Sequence, residues 1–311
     1  MKGIGLLAAV LVLCNCQCKG NSEKSYHPQQ EEAGASEQDG IVTEIETTSD
    51  SSGDNTANSK EEPQKGTAAA ETASGESTPK TTGKIDGAAR LMAAYPQKIK
   101  DISNNTIYFT DGTTMVYDDG KEKDFVTMLD YSDPQDMFFA EYDTQSKVPE
   151  YLHDVGRSRS EELFKKLYGS SQSAVQKQLV PVSWFGQKVM FSSSNGAAEQ
   201  LKKVAQELAQ HPELRKYLKS AGTFYWRNVR GANRLSAHSY GMAIDIGVDY
   251  SDYWLWKNSG AGELKKITYH NRMPMELVEI FEKYGFVWGG RWYHFDTMHF
   301  EYRPELNPPR R

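Results

Sequence analysis

The sequence predicts an α+β fold: a small antiparallel sheet flanked by helices and preceded by a disordered linker. Three observations lead there. Residues alternate apolar and polar after Gly241 and again around His299, the period of a half-buried strand. Leu201, Val204, Ala205 and Leu208, and later Leu277, Ile280, Phe281 and Tyr284, recur at the spacing of a helix with one apolar face. Large apolar residues are almost absent between residues 21 and 80 and return from about residue 85.

The chain opens like an export signal, residues 1–18. Lys2 supplies the positive start, and Ile4 to Leu13 form an apolar run of about ten residues, too short to span a bilayer. All three cysteines follow, at Cys14, Cys16 and Cys18, so no disulfide can hold the folded part. Close thiolates can bind soft metals, but the segment more closely resembles a bacterial lipoprotein signal with a lipidated cysteine, best placed at Cys16. An exported protein anchored by lipid in a membrane follows; a plain secreted protein is the alternative. Residues 19–84 read as an acidic linker. Residues 21–80 carry 13 acids and four bases, whereas the whole chain sums to −6, so the folded part is close to neutral. Such a segment buries too little apolar area to offset its ordering entropy. As a tether it averages roughly 45 Å end to end.

Residues 85–190 form an N-terminal accessory region. Thr106 to Tyr117, turning at Asp111-Gly112, reads as a β-hairpin. Asp118-Asp119-Gly120 lacks the spacing of a calcium loop and reads as a solvated turn. Residues 121–155 suggest short helical or irregular structure. Ser158 to Glu161 resembles a capping box for a helix that stops near Gly169. Leu179–Trp184 and Lys188–Phe191 are expected strands, and Asn195 an expected helix cap.

Residues 191–305 carry the chemistry, with 306–311 as a tail; Arg303 to Arg311 looks loose. Thr223 to Val229 is expected to be a strand leading into Ser236-Ala-His-Ser-Tyr-Gly-Met-Ala-Ile-Asp245. In the strand after Gly241, Ile244 and Ile246 share one face and Asp245 stands on the other. Around His299, the residues Met298, Phe300 and Tyr302 share a face opposite Thr297, His299 and Glu301. Two histidines and a carboxylate with a place left for water make a catalytic zinc set: His238, Asp245 and His299. Asp296, three positions before His299, is close enough to take a proton from the water that zinc activates. Arg227 is the candidate to meet the developing negative charge or a substrate carboxylate. Each piece has a plainer reading: a turn histidine, a hydrogen-bonded strand aspartate, solvated acids at Asp296 and Glu301, and a surface Arg227. His294 and His270 are rival ligands. The aromatics Tyr253, Trp254 and Trp256 either line a groove or pack their loop down.

Taken together, Ser236-x-His238-x-x-Gly241-x-Ala243-x-Asp245, Trp288-Gly-Gly-Arg-Trp292 and Asp296-x-x-His299 closely resemble the zinc D-alanyl-D-alanine carboxypeptidase and L-alanyl-D-glutamate endopeptidase family. The resemblance covers about residues 195–305. It implies the fold shared with lysostaphin-type peptidases and the hedgehog domain, and zinc held by His238, Asp245 and His299. It further implies Asp296 as general base, Arg227 in contact with substrate or transition state, and peptidoglycan stem peptides as substrate. Ser236 and Trp292, within the motifs, are expected substrate contacts. The carboxypeptidase branch usually has Glu as the base; Asp296-Thr-Met-His299 looks more like the endopeptidase branch. A monomer is expected. With no nucleotide-binding loop and no basic stripe, nucleic acid is not an expected partner. A non-catalytic wall-binding protein and a calcium-stabilised surface module are the rivals, the latter disfavoured by two histidine donors.

Overall fold

The computed structural model describes residues 85–310. The export signal, its cysteines and the acidic linker lie outside the described residues. The first helix, α1 (Gly87–Ala94), is capped by the Asp86 side chain. A three-stranded antiparallel meander follows: β1 (Ile99–Ser103), β2 (Thr106–Phe109) and β3 (Thr114–Val116). The expected hairpin is β2–β3, with Gly112 at φ +83° in its turn. Beyond it come α2 (Phe125–Asp130), α3 (Glu161–Tyr168) and α4 (Gln172–Gln176). Ser160, not Ser158, precedes α3; the Ser158 hydroxyl is buried against Ser132 instead. Gly169 ends α3 at φ +127°.

β4 (Leu179–Trp184) and β5 (Gln187–Ser192) pair as an antiparallel ribbon. α5 (Ala197–Leu208) starts after Gly196 in the left-handed region, while the Asn195 amide turns to the Leu167 carbonyl and does not cap it. The central sheet has order β6-β7-β9-β8, all antiparallel: β6 (Ser220–Gly222), β7 (Ala243–Ile246), β8 (Phe286–Trp288) and β9 (His299–Tyr302). α6 (Trp254–Lys257) and α7 (Met275–Lys283) lie between β7 and β8 in sequence. The expected strand over Thr223–Val229 is not one. Only a single bridge, Asn228 to Leu235, forms there, and the true strand β6 ends at Gly222.

The central sheet is covered on both faces. Ile244, Ile246, Phe286, Trp288, Phe300 and Tyr302 join a core with α5, α7 and the β4–β5 ribbon. Ala243 and Val287, on the opposite face, join a second core with α1, β2 and α3, including Leu91, Ile107, Phe164 and Tyr168. Both cores therefore draw on residues either side of position 190. The C-terminal segment is not loose. Arg303 to Asn307 is buried, the Asn307 amide donates to the Glu282 and Phe286 carbonyls at 2.7 Å each, and Arg310 N–H reaches the Lys283 carbonyl. Its charged and amide groups find partners inside the molecule, which composition alone does not reveal.

The α5 stripe gives a direct check of this packing. Leu201 is fully buried in the first core, so Leu201→Ala should cost about 2–5 kcal/mol. Lys203→Ala, two positions away and exposed, should cost less than about 0.5 kcal/mol. Urea unfolding midpoints compare the two directly.

Candidate metal centre

Asp245 and His299 are direct partners across the β7–β9 ladder. The register puts both on the sheet face opposite Ile244 and Phe300, as the alternation predicts. His238 comes from a short 3-10 helix, Ala237–Tyr240, that Gly241 closes at φ +64°. This turn feeds directly into β7, which is why ten consecutive residues can supply two converging groups.

The three side chains meet tightly. His299 Nδ1 lies 3.0 Å from Asp245 Oδ1, His238 Nε2 lies 3.2 Å from Asp245 Oδ2, and the two ring nitrogens are 3.2 Å apart. Each ring is held from behind. His238 Nδ1 faces the Thr223 carbonyl at 3.1 Å, and His299 Nε2 faces Glu301 Oε2 at 3.1 Å. A carbonyl or carboxylate there calls for N–H on the outer nitrogen, which leaves the inner nitrogen's lone pair for the centre. Two inward lone pairs beside a carboxylate can share one cation. Tetrahedral zinc with bonds of about 2.0–2.1 Å sets its donors about 3.3 Å apart, close to the spacings here. The donor set and its separations fit such an ion.

Electrostatics point the same way. Burial opposes charge on Asp245, yet His238 and His299 hold its carboxyl well below the usual carboxylate range. Burial likewise opposes charge on His299, but the Asp245 and Glu301 carboxylates outweigh it and raise its pKa to about 10. The pocket is built to concentrate positive charge at one point.

Asp296 lies beside this group without joining it. Burial, then the Asp245 carboxylate, pushes its carboxyl up to about 7, against the pull of both histidines. Its Oδ1 is buried with no hydrogen-bond partner. Its backbone is fixed: the N–H donates to the Gly289 carbonyl at 3.0 Å, and a Cβ at Gly289 would stand 2.4 Å from the Asp296 carbonyl oxygen. The loop after β7 also pairs with this segment, through a Tyr253–Asp296 bridge and Thr297 N–H donating to the Asp252 carbonyl. Of the loop aromatics, Trp254 is buried, Tyr253 half-buried and Trp256 exposed.

Residues 230–302 match the D-alanyl-D-alanine carboxypeptidase family. The match spans both motifs, so the resemblance carried by His238, Asp245, Asp296 and His299 holds over this peptidase segment. No curated protein and no solved structure matches the chain.

Other expected residues of the peptidase site behave differently. Arg227 is exposed, its Nη1 donates to the Asn228 carbonyl at 3.1 Å, and its guanidinium stands 6.0 Å from the Tyr225 ring centre. None of its hydrogen bonds reaches the triad. Arg230, also exposed, acts on Tyr253: burial and then Asp296 raise the Tyr253 phenol, while Arg157 and Arg230 oppose them. Arg234 is buried in an ion pair with Asp130. Ser236 is buried and its hydroxyl accepts from His238 N–H; Trp292 is buried and its indole N–H donates to the Val155 carbonyl at 2.6 Å. The Trp292 ring centre lies 5.6 Å from that of His299, so this side chain borders the triad.

His294, the rival ligand, belongs to a separate group with Asp154 and Glu263. There the Arg157 guanidinium donates to both carboxylates at 2.8 Å, so an organic cation already sits between them. The Asp119, Asp133 and Asp136 carboxylates similarly close on Lys123 Nζ, all within 3.0 Å. The paired-Asp turn is thus an ion-paired turn.

Sequence reasoning missed two groups behind the histidines. The Thr223 carbonyl carries no side-chain signal. Glu301 does carry one, since it lies two positions after His299 on the same strand face. It is fully buried, where a solvated acid was the plainer expectation. The second core explains this: the face that holds the site is roofed by the segment around α3.

Proposed function

We propose that this chain is a zinc-dependent peptidase that hydrolyses stem peptides of peptidoglycan. The observation that carries the reading is the convergence of His238, Asp245 and His299 beside an Asp296 carboxylate oxygen that has no partner of its own. Three protein donors leave a fourth position open, and zinc so bound acidifies water and polarises a carbonyl. Asp296 is the general base. A carboxylate whose affinity for protons is tuned near neutrality can accept one from the attacking water and return it to the leaving amine. Thr223 and Glu301 keep the two rings in the tautomers that the centre requires. Arg227 and Arg230, both exposed close to the motif, are the cations available to a free carboxylate of the stem peptide. The cysteine-containing start and the acidic segment support export, lipid anchoring and a tether that lets a monomeric enzyme reach the wall. The Asp at position 296 favours an internal cut over removal of a terminal D-Ala.

The test uses the purified protein and muropeptides of known sequence. Hydrolysis should stop on chelation and return with zinc, and His238→Ala should lose both the metal and the activity while remaining folded. Mass spectrometry of the products names the bond. Cleavage that survives chelation, or intact muropeptides with a zinc-loaded protein, would overturn the reading.

A further inference from the structure

We propose that Arg159 and Arg303, acting through Glu301, position His299, so that the N-terminal segment is a working part of the metal centre. The inference rests on the zinc reading above and adds residues outside the matched peptidase segment.

The chain of contacts is continuous. Glu301 Oε2 faces His299 Nε2 at 3.1 Å and also accepts from Arg159 Nη1 at 3.4 Å. Glu301 Oε1 accepts from Arg303 Nη1 at 2.7 Å. Both guanidiniums donate as well to the Gly156 carbonyl, Arg303 at 2.8 Å and Arg159 at 3.1 Å, which ties them to the loop before α3. Arg303 Nε pairs with Glu305, and Glu305 accepts from the Tyr95 hydroxyl at 2.5 Å. Arg303 also lies 4.8 Å from the ring centre of Phe164 on α3. Two arginines and two glutamates thus balance inside the fold, all at 8% exposure or less.

Such an arrangement is expensive if it only fills space. Buried ion pairs seldom add net stability over apolar packing, whereas in some proteins they fix geometry. Here the fixed geometry has a receiver. Glu301, held at both oxygens, can offer His299 only an acceptor. The proton must then reside on Nε2, and Nδ1 faces His238 and Asp245. Partners of this kind, one shell out from a metal-binding histidine, typically change metal affinity by about 10–100-fold. Arg159, Arg303 and Glu301 are positioning residues; none is placed to touch substrate.

Glu301→Gln is the decisive change. Arg303 would claim the amide oxygen, so the amide NH2 would turn to His299 and offer a donor where an acceptor is needed. Zinc affinity, read by competition with a chromogenic chelator, should fall about 10–100-fold. Arg159→Met should move it the same way by less. Imidazole NMR of the wild-type protein with cadmium in place of zinc should show metal on Nδ1 of His299 and a proton on Nε2. That measurement decides the matter even if Glu301→Gln fails to fold. Metal on Nε2 of His299, or a folded Glu301→Gln with affinity within about threefold of wild type, would overturn the positioning role. Unchanged affinity in Arg159→Met would remove the N-terminal segment from it. A wild-type protein that binds no zinc at all would instead bring down the functional reading on which this one stands.

Discussion

Replacing Asp296 with asparagine should leave a folded, metal-loaded protein that hydrolyses stem peptides about 10²–10⁴-fold more slowly. The substitution changes almost no volume. Asp296 is not among the three converging donors, so metal content should be unchanged. Its backbone contacts, to Gly289 and across to Tyr253, do not involve the carboxyl. What disappears is, among the described residues, the one acidic group beside the centre whose oxygen lacks a partner and whose proton affinity lies near neutrality. An amide cannot accept a proton at neutral pH. The check is kcat/KM on one purified muropeptide together with metal analysis of the same sample. Activity within a few-fold of wild type, with zinc retained, would remove Asp296 from the chemistry.

The second large effect concerns the fold. A chain beginning at residue 191 should fail to form a stable domain, although it contains the whole matched segment. Cutting there removes Val182, Trp184 and Val189 from the first core. It also removes all of α1, β2 and α3 from the second, exposing Ala243, Val287 and Trp292. Truncating a single large core side chain costs about 3–5 kcal/mol, and a whole domain is stable by only about 5–15 kcal/mol. Several such losses exceed that margin. The cut also takes away Arg159 and the Phe164 ring that lies against Arg303. Amide NMR dispersion and a cooperative urea transition report on folding. A truncated chain that unfolds cooperatively and binds zinc with wild-type affinity would contradict both this expectation and the role given to Arg159.

How much the sequence disclosed follows from how far apart the interacting groups lie in it. His238 and Asp245 share one turn and one strand, so spacing and alternation suffice to orient them. His299 required only that two alternating strands be neighbours, and β7 and β9 are. The α5 and α7 stripes and the Asp111-Gly112 turn are local patterns and were equally legible. Glu301 was ambiguous because alternation gives its face but not what covers that face, and the cover comes from residues more than a hundred positions earlier. Thr223 contributes a backbone carbonyl, which no side-chain pattern announces. The segment after β6 reads as a strand by its aromatic content, yet has almost no neighbour to pair with, since β6 itself takes the place beside β7. The C-terminal residues look loose because they are rich in proline and charge, and they are buried because Arg303, Glu305 and Asn307 each have a specific partner.

Gly289 has a consequence for how Asp296 could work as the base proposed for it. A carboxylate that must be well placed is usually held by donors to its own oxygens, and every such bond makes it a poorer acceptor of protons. Here the Met298 N–H is the one such donor to the carboxyl among the described residues, and the main chain does the rest of the holding. The Asp296 carbonyl sits where position 289 has room only for hydrogen, and its N–H is bound to that same residue. The side chain is thereby aimed from its root, and the outer oxygen keeps its basicity. Placement and reactivity, which compete when one functional group must provide both, are divided between the backbone and the carboxyl.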